Sequence, residues 1–201
     1  MKLYYSPSSC SLAPHIVLRE LDLPFTLERV DAASKRTETG ADYLAINPKG
    51  YVPALLLDSG ELLTEGPAIT QYLVDTYAPG SLAPLSGTIE RARVNSHLTY
   101  ISTELHKPFS ALFNPALTAD ARAMTIAYLN RRFDLPEQLL SDGRAFLTGA
   151  DLTLADVYLF VIQRWEAFTG FDLSPFPNLI AYAERISART SVQQALLAEA
   201  E

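Results

Sequence analysis

Strand, helix and strand follow one another within the first thirty residues, and that order leaves few folds open. Leu3-Tyr4-Tyr5 reads as a short strand and Ser6-Pro7-Ser8-Ser9 as a turn. From Ser11 to Leu21 the apolar positions Leu12, Ile16, Val17 and Leu21 fall at helical spacing. Pro14 lies in the first turn of that helix, where a missing N–H does least harm. Phe25 to Val30 alternates as a second strand. A crossover through a helix makes the two strands parallel. Asp31 to Thr39 is polar and is predicted to loop, with a short helix following near Asp42 to Ala45. Asn47-Pro48-Lys49-Gly50 is a turn signal. Ala54 to Leu57 reads as a buried strand, and Asp58-Ser59-Gly60 returns it into Glu61-Leu62-Leu63 as a hairpin partner. Ile69, Tyr72, Leu73 and Tyr77 then mark a helix. The order β-α-β-α-β-β-α describes a small mixed sheet with helices against it, an α/β domain.

Beyond residue 87 the periodicity is helical throughout. Pro79, Gly80, Pro84 and Gly87 mark the break. The predicted organisation is a first domain over 1–78, a linker over 79–86 and an all-helical domain over 87–201. Its helices run from about Thr88 to Phe113, Ala119 to Leu140, Thr153 to Phe168 and Pro177 to Arg189, with a short tail. The net charge is −7 and no long basic run is present, which argues against nucleic acid or an anionic membrane surface as partner. The longest apolar run, Val157 to Ile162, falls far short of the ~20 residues that span a bilayer. No apolar signal core precedes Pro7. A single cysteine excludes an intrachain disulfide and a cysteine zinc cage, and His15, His97 and His106 lack metal-ligand spacing. A cytoplasmic protein without a metal is expected.

Four places carry candidate chemistry, and a fifth motif is structural. Cys10 precedes a helix start, where the dipole lowers a thiol pKa; it reads equally as a small buried hydrophobe. Cys10-Ser11-Leu12-Ala13 lacks a second thiol, so disulfide exchange within one chain is excluded. Pro53, after a glycine turn and before a buried strand, is a plausible cis site, although a trans bond is commoner. Thr64 is predicted to cap the next helix with Pro67 in its first turn, giving an anion site beside Glu65 and Gly66. On the helix through Leu98, Ile101, Leu105, Phe109 and Leu112, a second face carries Thr99, Thr103, His106 and Ser110, either a site or a solvated face. Pro108 should kink that helix beside His106. Thr153 and Asp156 form a capping box, with Leu152 and Val157 as its hydrophobic staple. This last element is read as structural, as are His15 and His97, which could equally lie on the surface.

Met1 to Pro7 leading to Ser9-Cys10-Ser11, Leu44 to Gly50 leading to Val52-Pro53, Leu63 to Gly66 leading to Ala68-Ile69, and Glu104-Leu105-His106-Lys107 together resemble the cytosolic glutathione transferases, most closely the bacterial beta class. The resemblance spans the chain. It implies a thioredoxin-like first domain, an all-helical second domain, a cytoplasmic homodimer, glutathione as co-substrate and small apolar electrophiles as its partners. It implies that Val52 and Pro53 hold the cysteinyl part of glutathione, Glu65 and Gly66 the γ-glutamyl end, and Lys35 the glycyl carboxylate. Thr99, Thr103 and Glu104 would reach across from the partner subunit. Cys10 would lie beside the glutathione sulfur, with His106 and Lys107 lining the same cleft. Gly66 stands where many relatives carry a serine, and Thr99 and Thr103 where an Asn and a Ser are expected. Tyr5, Ser11, Cys10 and His106 are alternatives for activating the thiol. Phe113 and Trp165 are candidates for the electrophile wall, Trp165 equally for the core. The reaction implied is conjugation, with thiol-disulfide exchange at Cys10 beside it; a non-catalytic binding protein on the same fold is the alternative.

Overall fold

A computed structural model of the chain describes residues 1–200. Its strands are β1 (Lys2–Tyr5), β2 (Thr26–Asp31), β3 (Arg36–Thr37), β4 (Ala54–Leu56) and β5 (Leu62–Thr64). Its helices are α1 (Leu12–Glu20), α2 (Tyr43–Ile46), α3 (Gly66–Tyr77), α4 (Ile89–Tyr100), α5 (Lys107–Ala111), α6 (Ala119–Leu140), α7 (Leu154–Gln163), α8 (Glu166–Thr169), α9 (Pro177–Ser187) and α10 (Thr190–Ala200), with a π-helical segment, Ile101–His106, joining α4 to α5. The chain divides into two compact units, Met1–Gly80 with the segment from Arg189 onward, and Ser81–Ala188.

In the first unit the strands lie in the order β3-β2-β1-β4-β5. β1 pairs parallel with β2, Leu3 opposite Leu27, as the crossover requires. It pairs antiparallel with β4, Leu3 opposite Leu55, and β4 returns through the turn into β5. Successive side chains on β1 point to opposite faces. Tyr4 joins Val30, Tyr43 and Ala54 in the core on the α2 side. Leu3, Ile16, Leu55, Ile69 and Leu73 are fully buried, and α1 and α3 pack against each other. This is the thioredoxin-like arrangement, and the second unit is helical.

Three features depart from the sequence reading. Asp31 to Thr39 is not all loop. Asp31 Oδ1 accepts from the N–H groups of Ala33 and Ser34 at 3.1 and 2.6 Å, and this tight turn folds Arg36 and Thr37 back onto β2. Two residues are too few for a period to register. Thr64 does not cap α3: it ends β5, and Glu65 occupies the cap position at φ +70° without a side-chain cap bond. The helix α10 groups with the first unit rather than with the helices before it in sequence, because it packs on α1. Arg189 forks onto the Glu20 carboxylate at 2.6 and 2.8 Å there.

In the second unit Thr88 caps α4 by accepting from Arg91 N–H at 3.2 Å. The winding continues to Ala111, as the apolar stripe predicts, but through the π segment that ends at His106. Pro108 has no N–H to return to the Glu104 carbonyl, and its ring crowds that carbonyl. The expected disturbance beside His106 therefore takes the form of a widened turn, a device often found at functional sites. All ten residues of α7 are buried. Its capping box is present: Asp156 accepts from Thr153 N–H at 2.7 Å and Thr153 Oγ1 at 2.6 Å. It also accepts from Leu147 N–H at 2.8 Å and Tyr182 Oη at 3.0 Å. Burial pushes the Asp156 carboxyl above its ordinary range while these donors oppose the shift. D156A leaves buried donors unmet, so a stability loss of ~3 kcal/mol or more is expected in urea unfolding. A loss below ~1 kcal/mol would show that the carboxylate does not organise α7.

Candidate active site

Cys10 sits in a turn rather than inside the helix. The helix α1 begins at Leu12 with Ser11 at its cap position, one residue beyond the thiol. Cys10 is half-buried, and its S–H donates to the Val52 carbonyl at 3.5 Å. Burial pushes the thiol up to about 12, Glu65 adds to the rise, and the backbone N–H of Cys10 only partly offsets it. Of the two readings of Cys10, the lowered thiol pKa gives way to the small buried hydrophobe, because burial outweighs the helix start and keeps the thiol protonated at pH 7.

Ser11 is fully buried, and its hydroxyl is engaged within the turn. It donates to the Ser6 carbonyl at 3.2 Å, accepts from Ser6 N–H at 3.2 Å and meets Ser9 Oγ at 2.7 Å. Tyr5 is buried in β1, its ring 6.5 Å from that of His15. His15 itself is fully buried, which settles its place as internal rather than on the surface.

The Val52–Pro53 bond is cis. The segment before it is held by residues that sequence reading passed over. Tyr43 Oη and Asn47 Nδ2 both donate to the Tyr51 carbonyl at 2.8 Å. Both side chains are buried. Asn47 lay within a recognised turn signal and Tyr43 within a predicted helix, but only the folded backbone brings the two onto one carbonyl.

Glu65 adopts a left-handed backbone conformation that disfavours side-chain-bearing residues. Its carbonyl accepts from Ala68 and Ile69 N–H, Pro67 has no N–H, and Gly66 N–H opens α3. A Cβ on Gly66 would meet Pro53 Cγ at 3.8 Å, ordinary contact. The Glu65 carboxylate is exposed and pairs with Lys49 Nζ at 2.9 Å, which also donates to Thr64 Oγ1 at 3.0 Å. Lys49 was not singled out from sequence. Lys35, at φ +56°, donates from Nζ to the Gly50 carbonyl at 2.9 Å, with Nζ 5.9 Å from the Tyr51 ring centroid. Cys10, Val52-Pro53, Glu65-Gly66 and Lys35 thus come together in one unit.

The second unit gathers His106, Tyr158, Trp165 and Phe113. His106 Nδ1 shares a short hydrogen bond with Tyr158 Oη, and its ring meets Trp165 edge-on at 4.9 Å. Phe113 lies 5.3 Å from Trp165. Trp165 is 5% exposed and Phe113 46%, so the indole packs in the core and the phenyl presents a free face. Lys107 is exposed beside them in sequence. The Thr99 and Thr103 hydroxyls bond back to the Asn95 and Thr99 carbonyls. Glu104 accepts from Tyr128 Oη at 2.5 Å and pairs with Arg132 Nε at 2.9 Å, and the Tyr128 hydrogen bond holds its carboxyl below the usual range. Among the described residues no group of histidine, cysteine or acidic side chains is placed to hold a metal.

Two family descriptions match the chain. Glutathione S-transferase, N-terminal domain, covers residues 7–76, and glutathione S-transferase, C-terminal domain, covers residues 100–190. The chain belongs to the glutathione S-transferase family. Glutathione S-transferase GstA of Escherichia coli O157:H7 is 44% identical over 199 residues, 99% of this chain and 98% of that one. A sphingomonad glutathione S-transferase solved in complex with glutathione superposes with a TM-score of 0.94 at 44% identity, over 100% of this transferase and 99% of the other. The bacterial beta-class enzyme of Sphingomonas chungbukensis gives 0.94 at 45% identity, over 99% and 98%.

Cys10 is the only cysteine, so its ionisation is directly measurable. Iodoacetamide labelling is expected to accelerate about tenfold per pH unit from pH 6 to 10 without a plateau. A plateau at or below pH 8 would contradict the buried, neutral thiol. Folding raises this pKa, so its contribution to stability is present below the ordinary thiol value and is lost as pH climbs toward 12.

Proposed function

We propose that this glutathione S-transferase binds reduced glutathione on its first unit and transfers the sulfur to small apolar electrophiles. The observation that carries the reading is the meeting of three sequence-distant segments. Cys10 touches the Val52 carbonyl at 3.5 Å, Gly66 abuts the Pro53 ring, and Glu65 acts electrostatically on Cys10. Val52 offers backbone groups to the cysteinyl residue of glutathione in the manner of an added strand. Cys10 S–H holds the Val52 carbonyl in the free protein, so the ligand amide takes over or shares that acceptor. Gly66 N–H and the α3 dipole receive the γ-glutamyl carboxylate. Glu65 receives its ammonium, which displaces Lys49. Lys35 meets the glycyl carboxylate.

In conjugation the glutathione thiol loses its proton, the sulfur pair forms a bond to carbon, and a leaving group departs with the electrons of the broken bond. Cys10 keeps its own proton, so it serves this step as an S–H donor toward the glutathione sulfur rather than as nucleophile. That favours conjugation over disulfide exchange started by Cys10. His106, fixed by Tyr158, is the titratable candidate for proton transfer. Tyr5 and Ser11 are weaker candidates, since one is buried in the sheet and the other is bound within its turn. Phe113, Trp165 and Lys107 are proposed to shape the electrophile site, with Phe113 supplying the free apolar face. The enzyme is read as a cytoplasmic, detoxifying homodimer whose Thr99, Thr103 and Glu104 reach the partner's ligand. Support comes from the exposure of both threonines and from family membership. No described helix is long and apolar enough to cross a membrane.

Steady-state assays with glutathione and 1-chloro-2,4-dinitrobenzene test the reading. Turnover is expected, with C10A retaining it within about tenfold. E65A is expected to raise the glutathione KM by roughly 10–100-fold, the loss of one charge-assisted contact. No turnover by the native protein would favour a non-catalytic binding role. An unchanged KM in E65A would remove Glu65 from the site. G66S adds a hydroxyl where a Cβ fits and should tighten glutathione about three- to tenfold by calorimetry; weaker binding would contradict the placement at α3.

A further inference from the structure

One arginine ties together the two segments that carry an aromatic pair of the second unit. Phe113 follows α5, whose C-cap is Leu112, and Trp165 directly precedes α8, which ends at Thr169. Arg122 Nη2 donates to the Leu112 carbonyl at 2.8 Å, and Nη1 donates to the Thr169 carbonyl at 3.0 Å. Thr169 Oγ1 in turn donates to the Trp165 carbonyl at 2.8 Å. The last carbonyls of a helix have no partner within it, so a cation that donates to two of them serves both helix ends at once. The position does not serve α6 itself. Arg122 lies in the first turn of that helix, the end whose dipole disfavours positive charge. The backbone bonds beside Phe113 are local: its own N–H reaches the Ser110 carbonyl at 3.3 Å, and Asn114 N–H the Ala111 carbonyl at 3.1 Å. The Phe113 and Trp165 rings meet edge to face at 87°, with centroids 5.3 Å apart.

We infer that Arg122 is a positioning residue for the electrophile site: by bridging the ends of α5 and α8 it holds the exposed Phe113 ring against Trp165, and so fixes the apolar wall that an electrophile meets. The inference rests on the reading that Phe113 supplies that wall. The bridge itself does not. Both carbonyls lie outside the segments assigned to glutathione, so loss of Arg122 acts on the electrophile and spares glutathione. Lysine is not an equivalent here. Arginine reaches the two carbonyls from separate nitrogens of one rigid fork, whereas lysine has a single nitrogen on a flexible stem.

Trp165 is the only tryptophan, so its fluorescence reports on the wall directly. Emission, acrylamide quenching and steady-state turnover with 1-chloro-2,4-dinitrobenzene are read in R122A and R122K, each with and without F113A. R122A is expected to move the emission to longer wavelength and to raise quenching about twofold, as the indole loses its cover. The KM for the electrophile should rise about five- to tenfold, while kcat and the glutathione KM stay within about twofold. R122K keeps the charge, so the test survives if R122A does not fold; its electrophile KM should rise about two- to threefold. In the F113A background the wall is already removed, and either Arg122 substitution should cost less than about twofold further. A lowered Tm with emission and electrophile KM unchanged would make Arg122 a structural anchor only and overturn the inference. An equal rise in both KM values, or an undiminished cost in the F113A background, would also overturn it, since the effect would not pass through Phe113. Altered emission in a protein that turns over no glutathione would uphold the bridge and overturn the proposed function instead.

Discussion

One carbonyl oxygen organises the candidate glutathione site. The Tyr51 carbonyl accepts from Tyr43 Oη and Asn47 Nδ2, both at 2.8 Å. Both donors are buried, so the two hydrogen bonds are made away from water and hold the carbonyl from two sides. Tyr43 also belongs to the core cluster with Tyr4, Val30 and Ala54 on the central strands. The sheet core and the loop that offers Val52 are thereby fixed by the same side chain. Everything proposed for substrate depends on that loop: the Val52 backbone, its contact with Cys10, and Pro53 packed beside Gly66.

At Cys10 two effects compete and their magnitudes decide the outcome. A helix N-terminus supplies ~0.3–1 kcal/mol in favour of a thiolate, and only within the first turn. Cys10 lies outside that turn. Its rise to about 12 corresponds to roughly 4 kcal/mol against the charged form. Burial wins, and the nearby Glu65 carboxylate works in the same direction. In the proposed function, Cys10 keeps its proton, which it donates to the Val52 carbonyl in the free protein, and leaves nucleophilic chemistry to the sulfur of glutathione.

Much of this was legible in the sequence, for definable reasons. The parallel pairing of β1 with β2 and the hairpin at Asp58-Ser59-Gly60 follow from period and turn chemistry. The capping box at Thr153 and Asp156 is local, four residues long, and needed no tertiary knowledge. The missed features are those created by packing. β3 is two residues long and carries no period. Periodicity marks α10 as helical but cannot say that it packs on α1. Pro108 signals a disturbed helix, yet whether the helix bends or widens into a π turn depends on its neighbours. The convergence of Tyr43 and Asn47 on Tyr51 O, and of the Leu112 and Thr169 carbonyls on Arg122, joins residues whose meeting has no local sequence mark.

The most direct test of the account is to locate glutathione by titrating it into isotope-labelled protein and following backbone amide resonances. Saturable shifts at Cys10, Val52 and Gly66 at one glutathione per chain, with the Asp156 region unmoved, are the predicted result. Saturable binding that leaves Val52 and Gly66 unshifted would contradict it, because the ligand would then sit on neither the loop nor the helix start that the fold presents.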